Sequence, residues 1–174
     1  KNIPHLLFSG PAGVGKTTLA LILARSLFGE NWQHNFLEMN SSDDRGINVV
    51  RETIKDFART RALGTDLPKL ILLDECDALT KEAQQALRRT MEQNSRTARF
   101  ILSANFSSKI IDPIQSRCTI FRFKPLQEED LKKIIQHIAQ REDLKVDDHA
   151  LAAIIKVARG DARRSCRRDR DTSA

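Results

Sequence analysis

Three observations on this 174-residue chain predict an α/β fold, a parallel sheet with helices on both faces followed by a small helical lid. Short apolar runs alternate with amphipathic stretches from Ile3 to Phe123, the rhythm of strands buried on both faces and joined by crossover helices. The first run leads into Gly10-Pro11-Ala12-Gly13-Val14-Gly15-Lys16-Thr17, a G-x-x-x-x-G-K-T loop between a strand and a helix. After Lys124-Pro125 the strand-like runs stop and only helical patterning remains.

Taken in order, the first strand is predicted at Ile3–Phe8 and the loop hands over to a helix from Gly15 to Phe28. A second strand is expected at Asn35–Met39. In Ile47–Thr60 the residues Ile47, Val50, Ile54, Phe57 and Ala58 recur at helical spacing while Arg51, Lys55 and Arg59 line another face. The run Lys69–Leu73 reads as a third strand, ending in Asp74-Glu75. Thr80 precedes the helix formers Lys81-Glu82-Ala83 and is expected to cap a helix running to Asn94. Strands at Arg99–Leu102 and Thr119–Phe123 flank a short turn around Pro113–Ser116. In the lid, Leu126 opens a helix to about Arg141, Asp147-Asp148 caps a second through Ala158, and Gly160-Asp161 restarts a third. The expected divisions are 1–124 for the sheet core, 125–164 for a partial lid and 165–174 for a disordered tail, Arg-, Asp- and Ser-rich and without apolar periodicity.

Composition narrows the class. Apolar residues are 40% and charged residues 30%, the balance of a soluble globular protein, and no run approaches the roughly 18 apolar residues of a membrane span. The start Lys1-Asn2-Ile3-Pro4 lacks a secretory signal, so a cytoplasmic address is expected. Cys76, Cys118 and Cys166 are odd in number and lack C-x-x-C spacing, which argues against disulfides and zinc. The four histidines are scattered, so no metal is expected beyond a nucleotide's Mg²⁺. The net charge of +6, of which residues 160–174 supply +2, suits a polyanionic partner.

The chemistry resides in three strand ends. The loop glycines allow a tight turn whose backbone N–H groups face an anion, and the helix behind it adds unpaired donors and its dipole. Gly10, Pro11, Ala12, Gly13, Val14, Gly15, Lys16, Thr17 and Thr18 are therefore the expected nucleotide-binding residues, with Lys16 on the β- and γ-phosphates and Thr17 on Mg²⁺. Asp74 would hold the same Mg²⁺, and Glu75 would orient or deprotonate the attacking water. Asn105, after the next strand, could bond both the γ-phosphate and that water.

Beyond these, Ser116-Arg117-Cys118, Gly160-Asp161-Ala162-Arg163-Arg164, Asn40 to Ile47, and Ala86-Leu87-Arg88-Arg89-Thr90-Met91-Glu92 strongly resemble an AAA+ clamp-loader small subunit, of the archaeal replication factor C type above all. The resemblance covers about residues 1–164 and implies a P-loop AAA+ core with ATP and Mg²⁺ as cofactors. It implies that Asp74 and Glu75 are the Walker B pair and Asn105 is sensor 1. Arg117 resembles an arginine finger acting in trans on a neighbour's ATP, and Arg163 resembles sensor 2. Arg45, Ile47, Arg51, Lys55, Arg88 and Arg89 stand where such subunits track a duplex backbone, although Arg88 and Arg89 could serve a subunit interface. Phosphate contacts of that kind position DNA without reading its sequence.

The implied partners are other small and large subunits in a hetero- or homo-oligomeric ring, a sliding clamp and primer-template DNA, with no membrane. The implied setting is the cytoplasmic nucleoid, or the nucleus in a eukaryote. ATP binding would open the clamp and hydrolysis would release it on DNA. Two departures bear on this. Family members carry an adenine-contacting segment before Asn2-Ile3-Pro4, and they continue past Arg164 with an apolar helix and a collar domain where this chain has Ser165 to Ala174. The expectation is a chain truncated at both ends whose ATPase is weak or absent in isolation. The rival readings are a nucleotide- or DNA-binding module without turnover, or another AAA+ machine such as a helicase loader.

Overall fold

The structure, a computed structural model, describes residues 3–41 and 46–165, and of residues 46–51 and 164 the backbone alone. Five strands, β1 (His5–Ser9), β2 (Phe36–Asn40), β3 (Lys69–Asp74), β4 (Ala98–Ala104) and β5 (Cys118–Arg122), form one wholly parallel sheet in the order β2-β3-β4-β1-β5. The helices are α1 (Lys16–Phe28), α2 (Trp32–Asn35), α3 (Gly46–Arg59), α4 (Lys81–Gln93), α5 (Asp112–Gln115), α6 (Glu128–Arg141), α7 (Asp148–Ala158) and α8 (Ala162–Ser165). Among the described residues, no helix is long and apolar enough to cross a membrane.

Side chains alternate across a strand, so a run buried at every position needs cover on both faces. Leu70, Ile71, Leu72 and Leu73 are each at most 2% exposed, and Phe100, Ile101 and Leu102 are fully buried. Leu7, Ile71, Leu73, Phe100 and Leu102 pack with Ile54 and Ala58 of α3 and Leu87 and Met91 of α4. Helix α1 lies on β3 and β4 and buries Ala20, Ala24 and Phe28. Each buried Leu, Ile, Phe or Met contributes about 1.5–3 kcal/mol, and the central strands carry most of them.

Two long polar side chains admitted to this core, Lys69 and Gln84, have partners. Lys69 opens β3 at 6% exposed, with its ammonium on Phe57 O (3.3 Å) and Thr60 Oγ1 (2.5 Å) and 4.4 Å from the centroid of the Phe57 ring. Gln84 of α4, 2% exposed, donates to Leu79 O and Lys109 O (3.2 and 2.9 Å) and accepts from Ile111 N–H (2.8 Å). The amide thus stitches the loop after β4 to the start of α4.

Several boundaries differ from the sequence expectation. β1 starts at His5 rather than Ile3, and β5 runs over Cys118–Arg122 rather than 119–123. Asn35, assigned to a strand by its apolar neighbours, instead ends α2, because its fully buried amide is engaged with Leu63, donating to Leu63 O at 2.9 Å and accepting from Leu63 N–H at 2.8 Å. The first lid helix starts at Glu128, not Leu126, since Gln127 is extended (ψ 159°) and acts as N-cap. Thr80 and Asp147 cap α4 and α7 through Ala83 and Ala150 N–H. Ser165 closes α8, and residues 166–174 of the expected tail lie outside the described residues.

Contacts divide the described chain into two compact units. One comprises the chain up to Gly10 and from Lys16 to Arg122; the other comprises Pro11–Gly15 and the chain from Phe123 onward.

Candidate functional site

In a parallel sheet every strand delivers its C-terminal end to one edge, and the strand order decides which ends are neighbours. Here β4 lies between β3 and β1, so the ends at Asp74, Ala104 and Ser9 are adjacent. Gly10 N–H donates to Ala104 O at 3.2 Å, which carries the pairing of β1 with β4 one residue past the strand.

Lys16, first residue of α1, is 6% exposed, and its ammonium donates to Gly10 O at 2.6 Å and Asn105 Oδ1 at 3.2 Å. A buried charge needs such oxygen partners. The next residue, Thr17, donates its hydroxyl to Asp74 Oδ2 at 2.7 Å, while Asp74 Oδ1 accepts the Glu75 N–H at 2.9 Å. Burial pushes the Asp74 carboxyl up, but the Thr17 hydroxyl, the nearby Ser103 hydroxyl, the Glu75 amide and the charge of Lys16 outweigh it and hold the group below its ordinary value. It is a carboxylate at neutral pH.

Glu75 has a left-handed backbone (φ 55°, ψ 37°), uncommon for a side chain of this kind, and its carboxylate is exposed at the edge. Its carbonyl accepts Ala78 N–H at 2.9 Å, which fixes the turn. Asn105 in turn donates its backbone N–H to Asp77 Oδ1 at 3.2 Å. Ser103 of β4 is fully buried, and its hydroxyl acts on Asp74 by proximity, outside hydrogen-bond geometry.

These residues fit a magnesium nucleotide. Hard oxygens of Thr17 and Asp74 lie side by side, the donor type a hydrated Mg²⁺ takes, and an ammonium stands beside a neutral amide, a pair suited to phosphate oxygens. Among the described residues no group of three or more His, Cys, Asp and Glu could hold a metal.

In the other unit, Gly13 and Gly15 of the loop have φ of 71° and 89°, backbone that favours glycine. Gly13 is buried and its carbonyl accepts Ala162 N–H at 3.0 Å, while Arg163 donates its backbone N–H to Asp161 Oδ1 at 2.8 Å and leaves its side chain exposed. Thr18 is exposed on α1.

Arg117, after α5, is held within the chain. Its guanidinium pairs with Glu92 Oε1 at 2.6 Å and donates to Pro113 O at 2.6 Å, and Arg88 reaches the same Glu92 oxygen at 3.3 Å. Of the expected DNA-facing residues, Arg89 is exposed and Lys55 half-buried, whereas Arg88 is engaged by Glu92. Arg45 and the side chains of Ile47 and Arg51 lie outside the described residues. Asp77, Ser103 and Glu92 were not singled out by the sequence. Asp77 and Glu92 stand inside motifs that the sequence displays, and only the fold shows their partners.

The family model for AAA, the ATPase family associated with various cellular activities, matches residues 6–126. A replication factor C small subunit of Archaeoglobus fulgidus is 58% identical over 165 residues, 95% of this chain and 52% of that protein. One from Thermococcus kodakarensis is 62% identical over 155 residues, 89% of this chain and 18% of that protein. The chain thus spans about half the length of most such relatives, 52% of the first. The RuvB Holliday junction branch migration motor of Thermotoga maritima superposes with a TM-score of 0.74 at 24% identity, over 95% of this chain and 52% of that one, a likeness of fold. With its G-x-x-x-x-G-K-T loop, its Asp74-Glu75 strand end and a family match over most of its length, the chain belongs to the AAA family of ATPases.

Proposed function

We propose that this chain is the ATP-binding and ATP-hydrolysing core of a clamp-loader small subunit, which couples nucleotide state to opening a sliding clamp and releasing it on primer-template DNA. The observation that carries the ATPase reading is the contact set Lys16–Asn105 and Thr17–Asp74, which gathers three strand ends at one edge. The clamp-loader reading is supported by 58% identity to a replication factor C small subunit and by the Ser116-Arg117-Cys118 and Arg88-to-Glu92 motifs.

Lys16 binds the phosphates as a charge on a short tether. Thr17 and Asp74 hold Mg²⁺, which neutralises phosphate charge and orients the triphosphate. Glu75, at an exposed turn with its backbone fixed, receives or directs the proton of the lytic water. Asn105 holds that water and the terminal phosphate oxygen, and Arg163 is the sensor 2 candidate.

Arg117 acts on a neighbour's nucleotide, which makes turnover depend on assembly. Its pairing with Glu92 and Pro113 O supports low turnover by the chain alone, because the guanidinium has ligands of its own. Lys55, Arg88 and Arg89, with Arg45 and Arg51, follow a DNA backbone in the assembled ring. The partners are other small and large subunits, the clamp and primed DNA, in the cytoplasm at the nucleoid.

The test is titration with a fluorescent ATP analogue with and without Mg²⁺, with Lys16→Ala as control, followed by phosphate release with full-length partner subunits and primed DNA. Mg²⁺-dependent binding lost in Lys16→Ala, with hydrolysis rising on assembly, is expected. Lys16-independent binding overturns the site. Binding without hydrolysis in any assembly leaves a nucleotide-binding module.

A further inference from the structure

Gly13 of the phosphate loop is in contact with an acidic side chain. A Cβ built on Gly13 would fall 1.6 Å from Asp161 Oδ1, so the carboxylate occupies the space that any other residue's side chain would need. The carbonyl of the same glycine accepts Ala162 N–H at 3.0 Å, so the loop is fastened to two consecutive residues of the lid.

Asp161 is not a loose surface acid. Its Oδ1 accepts Arg163 N–H at 2.8 Å, the side-chain cap of α8, and its own N–H donates to Ala158 O at 2.9 Å. Gly160 before it is pinned as well, with φ 85°, room for a Cβ blocked by Pro125 Cβ at 2.7 Å, and its carbonyl accepting Leu126 N–H at 3.2 Å. The carboxylate is held half-buried against a loop whose other backbone groups serve an anion.

A fixed negative charge at that place opposes what the loop binds. Each further phosphate adds negative charge within reach of the carboxylate, and in a partly desolvated site such repulsion is only partly screened. We propose that Asp161 is a specificity-determining residue of the nucleotide site, lowering affinity in proportion to phosphate number and so narrowing the preference for ATP over ADP. Through Gly13 it also ties the loop to the start of α8. This role for Asp161 rests on the phosphate-loop reading of residues 10–17.

Asp161→Asn tests it, since asparagine keeps the cap acceptor and the shape and removes the charge. Asp161→Ser, a second uncharged cap, serves should the first variant fold poorly, with thermal melting as the check. Affinities of the 174-residue chain for AMP, ADP and ATP are measured at about 50 and 500 mM salt, with Lys16→Ala as control. The expected result is a gain of about three- to tenfold for ATP, a smaller gain for ADP and the smallest for AMP, shrinking at high salt. Lys16-dependent binding that both substitutions leave unchanged, or weaken equally for all three nucleotides, overturns this inference alone. Binding indifferent to Lys16 overturns the phosphate-loop reading, and this inference with it.

Discussion

The ammonium of Lys16 donates to Asn105 Oδ1 at 3.2 Å, across 89 positions of sequence. The contact is a product of register: Phe8 pairs with Ser103 and Ser9 with Ala104, so the loop leaving β1 meets the residue leaving β4. The amide is further held by Asp77 at its backbone. Asn105 is therefore fixed from two sides beside the Lys16 ammonium.

Asn105→Ala removes the side-chain partner of Lys16 but leaves the backbone bond to Asp77. Nucleotide binding is expected to change less than about threefold, while hydrolysis in the assembled complex falls about 100-fold, the scale of losing one polar group aimed at developing charge. Parallel titration and phosphate-release assays separate the two effects.

Glu75→Gln keeps shape and length and removes the proton acceptor. Binding of Mg²⁺-ATP should persist and turnover should drop by at least about 100-fold. Equal loss of binding would instead mean that the left-handed turn at Glu75 had been disturbed.

Gln84→Leu leaves two carbonyls and the Ile111 N–H without their buried partner. Unsatisfied groups of this kind cost about 1–3 kcal/mol each, offset in part by the apolar replacement. A loss of about 2–4 kcal/mol is expected from the urea midpoint, with an unchanged slope.

His5 brings a pH dependence. Burial, with the charge of Arg99 second, lowers its pKa from 6.5 to about 4, and its neutral Nδ1 accepts Phe100 N–H at 3.0 Å. A depressed folded-state pKa means that the unfolded chain takes up the proton first as pH falls. Stability from this group is complete above pH 6.5 and lost progressively towards pH 4. His5→Asn keeps an acceptor and cannot titrate, so its melting temperature should fall less between about pH 7 and pH 4.5 than the parent's.

Strands were legible wherever burial on both faces produced an unbroken apolar run, as in Leu70 to Leu73, and helices wherever apolar spacing or a cap such as Thr80 marked them. Asn35 was not, because a side chain that imitates backbone toward Leu63 leaves no periodic trace. Lys16, Thr17, Asp74 and Glu75 stood out as candidates because each lies in a short local pattern of the sequence. The union of Arg88 and Arg117 at Glu92, and of Gly13 with Asp161, depends on distant segments meeting, and each partner alone reads as an ordinary charged or turn residue.

The strand order also bears on how the chain comes into being. β1 precedes the other four strands of this sheet in the chain, yet both its neighbours come late: Leu6 pairs with Ile101, and His5 with Cys118. A nascent chain that has yet to release β4 can pair β2 with β3 but has no seat for β1. Closing so long a loop adds only modest entropy per doubling of length, but it defers the event and slows folding. The edge that gathers Lys16, Asp74 and Asn105 is thus assembled only once β4 has emerged, and a ribosome stalled before β4 would carry a product in which these side chains have not met.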